Sequence, residues 1–187
     1  MRLFISVDMP SEVCQVVAEV QHYLKRCNLF DGSYADSANA HLTVVFLGNV
    51  KEEVAIQIEA ALYTVDPPSY SARLGSLGYF ERDNQVKVIF INLICPELTG
   101  FAERVHTVLA PFYESDPIPF HSHITVARVK HVSNHEQLKR ELIAYVLPSI
   151  KFEVDCFTLK ESVLQSEGPM HTVRVSYPCI GVHNRKG

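Results

Sequence analysis

Two ten-residue segments of this 187-residue chain are near copies, and each opens on a histidine: His41-Leu-Thr-Val-Val-Phe-Leu-Gly-Asn-Val50 and His123-Ile-Thr-Val-Ala-Arg-Val-Lys-His-Val132. Aligned from the histidine they share His, Thr, Val and the final Val, with Leu42 answered by Ile124. The offset, 123 − 41 = 82 residues, is a little under half of the chain. A motif repeated once per half predicts two matched lobes, each giving one histidine and one threonine to a shared cleft. Both copies are β-branched and apolar, so each reads as a strand. Alternation then sets His41 with Thr43, and His123 with Thr125, on one face, with Leu42, Val44, Ile124 and Val126 on the other. The aliphatic face suits a core. The His/Thr face suits a cleft, because polar groups buried without partners are costly.

The rest of the chain fits an α+β unit. A strand is expected over Leu3 to Val7, then a helix from Pro10-Ser11 with Val13, Val16, Val17, Val20 and Leu24 as its buried stripe. Residues 28–40 read as a loop. Asn49 and Glu52 form an expected capping pair for a second helix carrying Val54, Ile56, Ile58, Ala61 and Leu62, which Pro67-Pro68 forbids from continuing. Ser71 to Phe80 and Val86 to Leu93 read as strands joined by a hairpin-like turn, and Pro96 opens a third helix. A polar, proline-rich stretch from Glu114 to Pro119 leads to the second histidine run. Ser133 and Glu136 are an expected capping box for a fourth helix with Leu138, Leu142, Ile143 and Val146. Lys151 to Leu159 and Met170 to Val175 read as closing strands around the loop Gln165 to Pro169. No linker separates independent domains, so residues 1–187 are expected to form a single domain of two pseudo-equivalent lobes.

Two histidines facing one cleft suit acid–base chemistry on a phosphoester. An ordinary imidazole pKa of about 6.5 lets one act as base and the other as acid near neutrality. Thr43 and Thr125 have hydroxyls to donate to phosphate oxygens. These paired motifs resemble the H-x-T-x signatures of the two-histidine (2H) phosphoesterases. The similarity extends to Arg2-Leu-Phe-Ile-Ser-Val-Asp8, to Phe120-His-Ser-His123, to Leu159-Lys-Glu-Ser-Val-Leu164 and to Gly168-Pro-Met-His-Thr172. It points to the RNA 2′,3′-cyclic phosphodiesterases, also called 2′-5′ RNA ligases, and spans essentially the whole chain.

The resemblance implies a bilobal fold whose antiparallel sheets line a central cleft with helices outside. It also implies opening of a terminal 2′,3′-cyclic phosphate to a 2′-phosphate, with a reversible 2′-5′ joining of RNA ends when a 5′-hydroxyl is the entering group. The expected catalytic residues are His41 and His123, with Thr43, Thr125 and Arg128 on the phosphate. His123 as base and His41 as acid is the working assignment. Val45, where relatives often carry lysine, and the lack of tryptophan are departures from the family pattern. Arg128 lies five residues from its histidine, hence on the opposite face of a regular strand; it reaches the phosphate only if the strand bulges or ends there. Two rival readings remain: a relative acting on a small cyclic nucleotide or ADP-ribose cyclic phosphate, and a non-catalytic RNA-end or nucleotide-binding module.

The net charge of −4 excludes the broad positive field of a duplex binder, leaving an RNA 3′ end or a small cyclic-phosphate nucleotide as the expected partner. Five scattered cysteines without a C-x-x-C spacing fit reduced thiols. No apolar run approaches a membrane span. A cytoplasmic monomer without metal or cofactor is the expectation. His121-Ser-His123 and His131 with His135 lack a carboxylate or cysteine in a ligand pattern and read as surface histidines. Lys25-Arg26 and Lys139-Arg140 read as solvated helix faces. Of Phe30, Tyr34, Tyr79, Phe80 and Phe120, at most two are expected to meet a base. His171 reads as a plain strand residue.

Overall fold

The apolar stripes and alternations become four helices and nine strands among the described residues, 1–113, 119–165 and 168–179 of a computed structural model. In chain order they are β1 (Arg2–Asp8), α1 (Ser11–Cys27), β2 (Phe30–Tyr34), β3 (His41–Asn49), α2 (Glu52–Leu62), β4 (Tyr70–Arg82), β5 (Gln85–Ile94), α3 (Glu97–Leu109), β6 (His123–Val132), α4 (His135–Ala144), β7 (Lys151–Val154), β8 (Cys156–Gln165) and β9 (Gly168–Pro178). The strands form an antiparallel sheet in the order β7-β4-β5-β6-β3-β1-β8-β9, with β2 also paired to β6. Its two halves, each led by a histidine strand, meet through Leu42 opposite Ile124. The α+β class and the antiparallel architecture thus hold, with the two half-sheets continuous at that point.

The helices lie where their stripes require. Val13, Val16, Val17, Val20 and Leu24 of α1 are buried, and α1 packs against β6. In α3, Leu98, Phe101, Val105 and Leu109 are buried, and the helix meets β3. Each histidine strand is therefore backed by a helix from the other half of the sequence, which ties the halves into one apolar cluster. No described helix is long and apolar enough to cross a membrane.

Several local expectations need correction. Residues 28–40 are not all loop. They hold β2 and a 3₁₀ turn at Ser37–Asn39, because Gly32 lets the backbone approach β6 closely: a Cβ there would lie 2.1 Å from the Arg128 carbonyl oxygen. Asn49 belongs to β3, and α2 starts at Glu52 behind Lys51 without a side-chain cap. Ile56 is exposed, the buried stripe of α2 being Ala55, Ile58 and Leu62. The cap of α4 is Asn134, whose side chain accepts from the Gln137 amide; the Ser133 hydroxyl instead donates to the Leu29 carbonyl. Ile143 is exposed and Val146 lies beyond the helix. The strand expected over Lys151 to Leu159 breaks at Asp155 into β7 and β8. Residues 114–118 and 166–167, within the two expected loops, lie outside the described residues.

Candidate active site

β3 and β6 share one pattern of burial, position by position, over their first nine residues. His, Thr and the fifth residue after His face outward, and the residues between them are buried. Simple alternation cannot produce this. Ser6 and Ile5 of β1 pair with Thr43 and Val45, skipping Val44; Phe90 and Ile89 of β5 pair with Thr125 and Ala127, skipping Val126. Each skipped valine is a β-bulge, and one extra residue returns the fifth position to the histidine face. Arg128 is exposed on the same face as His123 and Thr125, and Phe46 takes the equivalent place beside His41 and Thr43. The condition on Arg128 is met by the bulge.

The Leu42–Ile124 pair brings the two motifs together. His41 and Thr43 flank that pair on β3, and His123 and Thr125 flank it on β6. Both rings are half-buried and held alike. His41 Nδ1 is 2.9 Å from the Asn39 carbonyl oxygen, and His123 Nδ1 is 2.7 Å from the His121 carbonyl oxygen. A carbonyl only accepts, so each Nδ1 carries the hydrogen and each Nε2 is left as the lone-pair nitrogen. Burial pushes both imidazoles below their ordinary pKa, partly offset by those carbonyl bonds. Lys160 and His171 lower His41 further; His121 and Arg128 do so for His123. No described residue holds either threonine hydroxyl.

Strand register extends the comparison outward. On the first half, Phe46, Phe4 and Lys160 form one cross-strand row; on the second, Arg128, Val88 and Phe80 occupy the same row. At the two ends of each row a cation and an aromatic ring exchange places, Phe46 and Lys160 answering Arg128 and Phe80, with Phe4 and Val88 between them. Phe80 and Phe90 flank His123 with centroids at 5.0 and 5.1 Å, and Phe4 lies 5.3 Å from His41. Gly78 leaves room for the Phe90 ring, since a Cβ there would be 2.5 Å from Phe90 Cε2.

Two residues gain a place that the sequence reading did not give them. His171, expected as a plain strand residue, sets its ring at 88° to His41 with centroids 5.3 Å apart. Lys160, 5% exposed, ion-pairs with Asp8, the register partner of His41. Its signal was the alternation of Thr158, Lys160 and Ser162 against Phe157 and Leu159.

Among the five loop and strand-end aromatics, Phe80 reaches the histidines. Phe30 packs on Tyr34, Tyr34 lies under Lys25 and Tyr79 under Lys139, while Phe120 is half-buried against the core. Lys139 is held by Glu81 at 2.7 Å. Among the described residues no group of three His, Cys, Asp or Glu is placed to hold a metal ion. A cavity of about 270 Å³ lies beyond Asp8, lined by Val7–Pro10, Glu153–Cys156 and Thr158. Its carboxylates suit no phosphate, and the histidines stand outside it.

Comparison with known proteins agrees with this geometry. The family model of the 2′-5′ RNA ligase superfamily matches residues 9–163. An RNA 2′,3′-cyclic phosphodiesterase of Thermotoga maritima is 30% identical over 182 residues, covering 96% of this chain and 95% of that protein. One of Methanocaldococcus jannaschii is 27% identical over 174 residues, covering 92% and 98%. A solved structure from Thermus thermophilus superposes with a TM-score of 0.81 at 26% identity, covering 98% of this chain and 100% of that one. Escherichia coli LigT complexed with 3′-AMP shares the fold, with a TM-score of 0.73 at 21% identity over 96% and 97% of the two chains. A match of this extent, on a chain whose paired histidine strands build one face, makes the protein a member of the 2′-5′ RNA ligase superfamily.

Proposed function

We propose that this chain is an RNA 2′,3′-cyclic phosphodiesterase in which His41 and His123 are the acid–base pair. One observation carries the residue assignment: at the same place in two joined strands, each imidazole has its Nδ1 hydrogen fixed by a carbonyl and its Nε2 free to take or return a proton. The activity follows the curated relatives, which match over nearly their whole length.

In the hydrolytic direction one Nε2 takes a proton from water as its oxygen bonds to phosphorus. The P–O3′ bond breaks, the protonated partner histidine delivers its proton to the departing O3′, and a 2′-phosphate with a 3′-hydroxyl results. Each proton transfer contributes about 10²–10⁴-fold. Thr43 and Thr125 donate to the non-bridging oxygens, and the Arg128 guanidinium neutralises charge gathering there. With a 5′-hydroxyl in place of water, the same groups in the same roles form the P–O5′ bond, break P–O3′ and leave a 2′-5′ link; they exchange roles when the 3′-hydroxyl attacks that link and releases the 5′-hydroxyl.

The test is turnover, in EDTA, of a short RNA ending in a 2′,3′-cyclic phosphate, with 2′- and 3′-phosphate products resolved. Formation of a 2′-phosphate is expected. A 3′-phosphate product would overturn the regiochemistry, and turnover of small cyclic nucleotides alone would overturn the RNA assignment.

A further inference from the structure

The two histidines face different groups at the same register position: Asp8 opposite His41 and Asn92 opposite His123. A carboxylate and an amide have the same shape and differ in charge. The amide is occupied, its Nδ2 donating to the Ser76 carbonyl at 3.1 Å. The carboxylate is occupied too, by the Lys160 ammonium. Lys160 sits in β8 between Phe4 of β1 and Val173 of β9, and lysine is almost never buried unless paired.

We propose that Lys160 is a positioning residue for His41: by holding the Asp8 carboxylate in an ion pair, it makes the position opposite His41 as neutral as the amide opposite His123. The inference deepens the reading of the two histidines as a catalytic pair, and rests on it. A carboxylate left unpaired beside an imidazole favours the imidazolium, and it competes with the Asn39 carbonyl for the Nδ1 hydrogen. With Lys160 in place, His41 keeps the tautomer that the symmetric pair requires. The charged and titratable groups facing His41 are Asp8 from β1, Lys160 from β8 and His171 from β9, with Asp36 acting on His171. Lys160 lowers the His41 pKa and Asp8 raises it, so the two charges oppose each other at the ring.

The experiment is an NMR titration of the His41 ring in the full chain without substrate, paired with the pH profile of kcat/KM on a cyclic-phosphate RNA. Lys160→Met is expected to raise the His41 midpoint by about one pH unit and to move the limb of the profile that belongs to His41 with it. Lys160→Arg keeps the charge and the wild-type midpoint. Asp8→Asn leaves the lysine unopposed and moves the midpoint down. This opposite sign decides the matter even where Lys160→Met fails to fold. The double variant Asp8→Asn/Lys160→Met reproduces the amide arrangement and is expected to return the midpoint to its wild-type value. An unmoved midpoint in Lys160→Met, or a double variant that stays shifted, overturns the proposal. If the wild-type protein turned over no cyclic phosphate, the activity would be wrong, and the titration would still judge Lys160.

Discussion

Phe46 and Arg128 stand at the same place, five residues after the histidine, in strands that share a bulge and a burial pattern. One half of the site thus ends in an aromatic ring and the other in a guanidinium. Among the described residues Arg128 has no ion-pair partner, so its charge is available to a phosphate. Arg128→Ala is expected to lower kcat/KM by about 10²-fold, the scale of losing one donor to developing negative charge. Arg128→Lys should recover only part of this, because lysine lacks the planar fork. Steady-state kinetics on a cyclic-phosphate RNA decide it, and an Arg128→Ala enzyme within threefold of wild type would remove Arg128 from the site.

The 61% exposure of Phe46 separates binding from folding. Its ring leans on Phe4 at 5.9 Å, on the strand face that carries His41, and offers a face to a base. Stacking of one base on an aromatic side chain contributes about 1–3 kcal/mol. Phe46→Ala is therefore expected to raise KM about tenfold with little change in kcat or melting temperature. A fall in kcat at unchanged KM would contradict a stacking role.

The histidines also set how stability varies with pH. Burial holds His41, His123, His106 and His171 below the ordinary imidazole pKa. The unfolded chain, with ordinary histidines near 6.5, then binds more protons than the native one as pH falls through that value. Stability is full above the unfolded pKa and is lost below it. Glu52, held low by Arg174, adds loss of the same sign only nearer the carboxylate range. The denaturant midpoint should therefore fall between about pH 7 and pH 5, and His123→Gln should flatten that slope. A midpoint constant or rising on acidification would refute this.

The residues of the candidate site were readable because their signal is local. A repeated H-x-T with aliphatic partners names the strand, the face and the two histidines, and valine and leucine stripes name α1 and α3. What escaped the sequence depends on register between distant segments. Strict alternation misplaces Arg128, since an inserted Val126 is visible only against its partner strand β5. Lys160 and His171 join His41 through the order β3-β1-β8-β9, in which residues more than a hundred positions apart become neighbours. β2 was hidden because Phe30–Tyr34 has turn-like composition, and Gly32 exchanges strand propensity for close approach to β6.

Gly78 offers a last test, of whether the aromatic wall behind His123 is a working part of the site. A methyl group at this position would lie 2.5 and 2.7 Å from Phe90 Cε2 and Cζ, so the ring must move. Phe90 is 4% exposed and wedged between Phe80, at 4.3 Å, and His123, at 5.1 Å, so a displaced Phe90 ring presses on the histidine. Overpacking of this kind costs about 1–3 kcal/mol, and a displaced His123 ring loses its alignment for proton transfer. Gly78→Ala is therefore expected to lower both the melting temperature and kcat. Gly78→Ala/Phe90→Leu, which removes the clashing ring atoms, should restore most of the melting temperature. It should restore kcat only in part, since His123 then lacks its backing. Thermal denaturation and kcat measured on the same preparations separate the two effects. If Gly78→Ala kept wild-type kcat, the position of the His123 ring would be fixed by the His121 carbonyl alone.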